Sequence, residues 1–194
     1  MKDDIYFVTT NDRKFKECEK YITKTGASLI QHSSELIEPQ TTDSFAIVQH
    51  KLDQARRILP NKKVLVDDRS FVLPAINGFP GPMLKLVLNT AGIKGLLKLM
   101  HGVDNREALF VTSLGYFDGR DEHIIQTREK GFLTTAEQGN NLRGWTNLLY
   151  IYGHESYPDK SLAQLDDTEW DNYLKIVTRD DAFALLRPII EAAV

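Results

Sequence analysis

One cysteine in 194 residues rules out an internal disulfide and points to a reducing compartment. That residue, Cys18, falls on the apolar side of a predicted helix, where a small buried hydrophobe is expected rather than a reactive thiol. No apolar run approaches the roughly 18 residues of a membrane span. The opening Met1-Lys2-Asp3-Asp4 leads straight into a strand with no visible signal peptide, so a cytoplasmic protein without membrane attachment is expected. Excess positive charge is missing too: 24 Lys and Arg against 27 Asp and Glu leave a formal charge of −3. A chain of that balance is ill suited to wrapping a nucleic-acid backbone, although a local group of cations could still hold a small polyanion. There are no repeats and no low-complexity tract. The five histidines, His32, His50, His101, His123 and His154, show no metal-ligand spacing and read as surface or structural residues. Gly92-Ile93-Lys94-Gly95 is too short a signal for a phosphate loop.

Hydrophobic residues at 42% and charged residues at 26% are enough for one globular domain over residues 1–194, or two lobes sharing one core. Ile5 to Thr9 reads as a buried strand, and Thr10-Asn11-Asp12 as a turn that caps a helix bearing Phe15, Cys18 and Ile22 on one face. Ser28 to Gln31 is a second strand. Asp43 caps a longer helix whose stripe is Phe45, Val48, Leu52, Ala55 and Leu59, ending at Pro60-Asn61. Val64-Leu65-Val66 is a third strand that ends in Asp67-Asp68. Strand, helix, strand, helix, strand in that order predicts an α/β architecture. A Gly- and Pro-rich loop at 77–82 precedes helical patterns at Met83–Asn89 and Lys94–Met100. Ala108–Phe117 and His123–Leu133 form a hairpin about Asp118-Gly119, and Leu148–Tyr152 is a further strand candidate. The C-terminus is helical from about Arg179, with Thr178 and Asp181 spaced like a capping box and Pro188 bending or restarting the helix.

Three groupings carry chemistry. In Val8-Thr9-Thr10-Asn11-Asp12-Arg13-Lys14 a buried strand ends in small polar residues and a helix begins at once; helix N-termini hold phosphate, Thr9 and Asn11 can donate, and Lys14 adds a charge. The plainer alternative is that Asn11 only caps and Lys14 is solvated. Asp67-Asp68, at the carboxyl end of a strand, are costly unless neutralised, and a hard cation such as magnesium would do so; one solvated acid and one capping acid is the alternative. Gly78-Phe79-Pro80-Gly81-Pro82 is a shaped loop that would aim Lys85, or else a structural turn.

Taken together, these stretches resemble the inosine triphosphate pyrophosphatase family, which removes deaminated purine nucleotides such as ITP, dITP and XTP. Members open with a strand and Thr-Gly-Asn-x-x-Lys, here Thr9-Thr10-Asn11-Asp12-Arg13-Lys14. They carry an acidic pair after a strand, here Asp67-Asp68, and then Ala-Leu-Gly-Gly-x-Pro-Gly, here Ala75 to Gly81. The resemblance implies an elongated two-lobed α/β fold around a long, mixed, twisted sheet with a central nucleotide cleft. It further implies a homodimer that takes a nucleoside triphosphate and Mg2+ and releases monophosphate and pyrophosphate. On it, Thr9, Thr10, Asn11, Lys14 and Lys85 bind phosphate, Glu38, Asp67 and Asp68 hold the metal, and Asp68 with Lys14 is catalytic.

The departures are specific. Arg69 replaces a hydroxyl residue beside the acids, where it could pair with them and compete with metal, or touch phosphate. The family's Phe-Gly-Tyr/Trp-Asp becomes Arg143-Gly144-Trp145-Thr146, and its Ser-His-Arg becomes Val177-Thr178-Arg179; Tyr173 stands where a lysine is usual. Arg143, Trp145, Thr146, Thr178 and Arg179 are the base-binding candidates, with Thr178 alternatively a helix cap. The phosphate half of the site is kept and the base half rewritten, which implies an altered base preference. Three other readings stay open. One is a catalytically weak relative that binds nucleotides for regulation. Another is an enzyme for a modified or pyrimidine nucleotide. The last is a hydrolase like the septum-associated pyrophosphatases, whose distinguishing residues are not evident.

Overall fold

The computed structural model describes residues 3–141, 143 and 146–193. Its chain divides into two compact units. The first comprises Met1–Arg69, Thr112–Thr127 and Asp180–Val194, the second Ser70–Val111 and Arg128–Arg179.

The first unit begins with β1 (Asp4–Val8), α1 (Asp12–Ile22), β2 (Ser28–His32), α2 (Ser44–Ile58) and β3 (Lys63–Val72). β1 pairs in parallel with both β2 and β3, so each connection needs a crossover, and α1 and α2 supply them. Both helices start as the capping residues dictate. Asn11 Oδ1 accepts from the amides of Arg13 and Lys14 at 3.1 and 3.2 Å, and Asp43 Oδ1 accepts from Phe45 at 2.9 Å.

Successive strand residues face opposite sides, and two apolar layers result. Ile5, Phe7 and Leu65 pack with Cys18 and Ile22 of α1 and with Phe183, Leu186 and Ile190 of the C-terminal helix. Val64 and Val66 pack on the other side with Val48, Leu52 and Ala55 of α2. Cys18 is buried as expected, and burial pushes its thiol well above the usual range. Phe45 departs from the expected stripe: it is 50% exposed, because the buried face of α2 runs through Ile47, Val48, Lys51, Leu52 and Ala55.

The remaining strands are β4 (Pro80–Gly81), β5 (Glu107–Phe117), β6 (Glu122–Leu133) and β7 (Tyr152–His154). The seven-stranded sheet is mixed and ordered β2-β1-β3-β5-β6-β7, with β4 on β3. Asp118 sets the turn between β5 and β6, its Oδ1 accepting from the amides of Arg120 and Asp121 at 2.8 and 2.7 Å. The second unit adds α3 (Leu84–Thr90), α4 (Gly92–Leu99) and α5 (Asp167–Val177). Its core holds the rings of Phe71, Phe110 and Tyr152, with centroids 4.7 to 5.8 Å apart.

Sequence and structure disagree at further points. Residues Asn147–Tyr150 form a 3-10 turn, not a strand, and pairing starts only at Tyr152; an apolar run alone does not distinguish the two. α5 was not foreseen, although Asp166 and Glu169 form a capping box at its start. Thr178 does not cap the last helix but closes α5, its hydroxyl donating to Leu174 O at 2.6 Å. That last helix is α6 (Ala182–Ala193); its cap is Asp181, which accepts from Ala184 N at 2.8 Å, and it runs through Pro188 unbroken.

Candidate active site

Where β1 ends, the chain turns through Thr9 and Thr10 into α1. Thr9 is buried, its Oγ1 accepting from Asn11 N at 3.2 Å; Gln31 bridges the turn by donating to Thr9 O and to Asp12 Oδ1 at 3.3 and 3.0 Å. Thr10 and Asn11 are exposed. The cap on α1 leaves the amide nitrogen of the Asn11 side chain as a donor, and one turn in, Lys14 is only partly covered.

The acidic pair is not at the end of its strand. β3 runs on to Val72, but its parallel pairing with β1 stops at Phe7↔Leu65, so Asp67 and Asp68 lie just past the end of the parallel segment. That is where α/β sheets collect ligands. Both acids are buried, at 3% and 5% exposure. Strand alternation places Asp67 with Leu65 on the α1 side and Asp68 with Val66 on the α2 side.

Asp67 is the hub of the α1 side. Lys14 Nζ is 2.9 Å from its Oδ2, a charge contact without the alignment of a hydrogen bond, and Arg69 Nε is 3.8 Å from the same oxygen. Glu17, one turn along α1, takes Arg69 Nη1 at 3.1 Å. Burial works against a charged Asp67, but Lys14, Arg69 and Lys51 outweigh it and hold the carboxyl below its ordinary value. Arg69 is only partly covered, its side chain 29% exposed; desolvation works against its charge, yet Glu17 and Asp67 keep its pKa above the usual one. Arg69 thus pairs with Asp67 and, more closely, with Glu17.

On the α2 side, Lys51 is a buried lysine at 9% exposure. Its Nζ donates to Asp67 O at 2.7 Å and to Glu38 Oε1 at 2.9 Å. Gln54, three residues on, clamps the preceding backbone by donating to Ile37 O at 2.7 Å and accepting from Ile37 N at 2.9 Å. Two side chains of α2 therefore hold the Glu38 segment, although it has no regular structure of its own. Asp68 is engaged by neighbours as well.

The first unit holds Thr9, Thr10, Asn11, Lys14, Glu38, Asp67 and Asp68 of the expected set; Lys14 pairs with Asp67, Glu38 is linked to it only through Lys51, and among the described residues no three acids stand together. Glu17, Lys51 and Gln54 were missed. Lys51 carried a usable signal, being a lysine on the helix's apolar face at the spacing of Val48, Leu52 and Ala55. In the second unit, Lys85 is exposed on α3. Arg143, with φ 47°, lies over the Trp170 ring at 4.7 Å, donates to Leu165 O and contacts Asp167 at 3.4 Å. Thr146 caps the 3-10 turn by accepting from Leu148 N at 3.3 Å, and Arg179 follows the end of α5. Tyr173 donates to Glu129 at 2.9 Å. Trp145 lies outside the described residues.

A family model described as the Ham1 family matches residues 5–189. The chain belongs to the Ham1 family. A dITP/XTP pyrophosphatase of Saccharolobus solfataricus is 32% identical over 185 residues, 95% of this chain and 92% of the relative. An inosine triphosphate pyrophosphatase of Yarrowia lipolytica is 31% identical over 161 residues, covering 81% and 84% of the two chains. The Ham1 protein of Staphylococcus aureus has the same fold, with a TM-score of 0.80 over 99% of this chain and 100% of its own at 20% identity. Among the described residues, no helix of this Ham1-family chain is long and apolar enough to cross a membrane.

Proposed function

We propose that this Ham1-family chain hydrolyses a non-standard purine nucleoside triphosphate, such as ITP, dITP, XTP or a related modified nucleotide, to the monophosphate and pyrophosphate. The observation that carries the reading is a lysine at the start of α1, ion-paired with a buried strand aspartate just beyond the parallel segment of the sheet. The pyrophosphatase names of the relatives support it.

Thr9, Thr10, Asn11 and Lys14 hold the triphosphate: the helix start and its polar turn donate, and Lys14 supplies charge. Lys85 is proposed as a further phosphate contact. Asp68 takes the proton of the water that attacks the α-phosphorus, the α–β bridge bond breaks, and pyrophosphate departs with its charge met by Lys14. Asp67 serves chiefly to hold Lys14.

A divalent cation, proposed to be magnesium, fits the donor set. Among the described residues no three acids or imidazoles stand together as a ready cage. Magnesium does not need one, because it keeps several waters and binds through one or two carboxylates plus substrate phosphates. Glu38, set in place by Lys51 and Gln54, and Asp68 are the hard oxygen donors for it, with Asp67 the third acid at hand. When bound, the cation offsets phosphate charge and acidifies a coordinated water. Arg143, Trp145, Thr146, Thr178 and Arg179 are proposed to read the base.

A homodimer working in the cytoplasm completes the proposal; light scattering that gives a monomer would remove the first part. A weak regulatory binder is not favoured, since the relatives carry enzyme names. The test is a panel of ribo- and deoxynucleoside triphosphates with magnesium and a pyrophosphate readout. Turnover of ITP, dITP or XTP above that of ATP and GTP is expected, and its loss in Asp68→Asn. No pyrophosphate from any nucleotide would refute the reading.

A further inference from the structure

Asp67 Oδ2 is shared by two cations whose situations differ. Lys14 reaches it at 2.9 Å on a flexible stem, and among the described residues it has no other ionic partner. Arg69 reaches it at 3.8 Å from β3 itself and is gripped from behind by Glu17 at 3.1 Å. Arg69 Nε is buried and makes no hydrogen bond to a described residue. The planar guanidinium can serve two carboxylates at once, which an ammonium on a long stem does less well.

A lysine locked on a buried carboxylate cannot also neutralise phosphate unless that carboxylate keeps another counter-charge, because stranding a charge in low dielectric is expensive. Asp67, 3% exposed, has such a substitute in place. We infer that Arg69, anchored by Glu17, is a positioning residue that frees Lys14 to move from Asp67 onto a triphosphate by remaining as the counter-ion of Asp67. Arg69 acts through Lys14 and does not itself touch phosphate. This rests on the phosphate-binding role proposed for Lys14.

The test is a double-mutant cycle, read as calorimetric affinity of the full chain for inorganic tripolyphosphate at fixed magnesium. Lys14→Met is expected to weaken binding by about tenfold or more, the worth of one charge-assisted contact. Arg69→Gln should weaken it by a similar factor of about ten, and the combined variant no further than Lys14→Met alone, since the two act as one unit. Arg69→Lys, which keeps the charge but not the planar fork that spans Glu17 and Asp67, should fall between the parent and Arg69→Gln. If Arg69→Gln alone does not fold, Glu17→Gln combined with Arg69→Gln keeps the local charge balanced and carries the same expectation. Unchanged affinity in the Arg69→Gln form, or losses that simply multiply, would overturn the inference and leave the phosphate site standing. Unchanged affinity in Lys14→Met would instead sink the proposed site itself.

Discussion

Lys51→Met removes a charge while nearly preserving the volume of the stem packed along α2. Two contacts disappear. The bond from Nζ to the Asp67 carbonyl, 2.7 Å long and buried, is charge-assisted, and a buried acceptor losing such a donor costs about 1–3 kcal/mol. The contact to Glu38 contributes less, because that side chain is 51% exposed and its charge is screened. Relief of the desolvation of a buried ammonium offsets part of the loss, so about 2 kcal/mol of destabilisation is expected. For a chain of this size that corresponds to a fall of about 4–8 °C in the thermal midpoint. Glu38 also loses its tether, and kcat/KM for the best nucleotide should drop by about tenfold or more. Differential scanning fluorimetry and a pyrophosphate-release assay measure the two effects. A variant that melts within one degree of the parent and turns over at the parental rate would refute the claim that Lys51 builds the α2 side of the site.

Two further predictions concern stability. Burial alone would raise the Asp118 pKa, but the amides of Asp121 and Arg120 and the His123 ring lower it from 3.8 to about 2. A depressed carboxyl contributes stability that is fully present above its unfolded value and is lost as pH falls through the folded one. Asp118→Asn should therefore flatten the loss of thermal midpoint between about pH 4 and pH 2; an acid limb as steep as the parent's would contradict this. At Gly131, paired with His154, an added Cβ would lie 2.2 Å from Gly153 O and 2.6 Å from the Tyr152 ring. Gly131→Ala should cost about 3 kcal/mol or more in urea denaturation, and an unchanged midpoint would show that β6 and β7 are not packed this closely.

Much of the fold could be read from local chemistry. Asn11 and Asp43 each precede an amphipathic run, and a side chain that caps a helix needs only its own neighbours, so both helix starts were legible. The same holds for the turn at Asp118. Where a signal has two owners, sequence chooses badly. Thr178 and Asp181 are spaced as a capping box, yet Thr178 ends one helix and Asp181 begins the next. The acidic pair was legible as a candidate, but its geometry was not: β3 continues through it, and alternation separates two residues that look like a unit in the sequence. Lys51 and Glu17 act at long range, over contacts with Asp67 and Arg69 from other elements, and no local pattern announces such partners. Arg69 was visible as an anomaly, but its role depends on Glu17, which only the packing of α1 on β3 reveals.

Cleavage between the α- and β-phosphates can be read by phosphorus NMR of the products formed from dITP with magnesium. Pyrophosphate and monophosphate in equal amounts are expected, and neither from Asp68→Asn. Orthophosphate with diphosphate, or unchanged cleavage by Asp68→Asn, would contradict the proposed reaction.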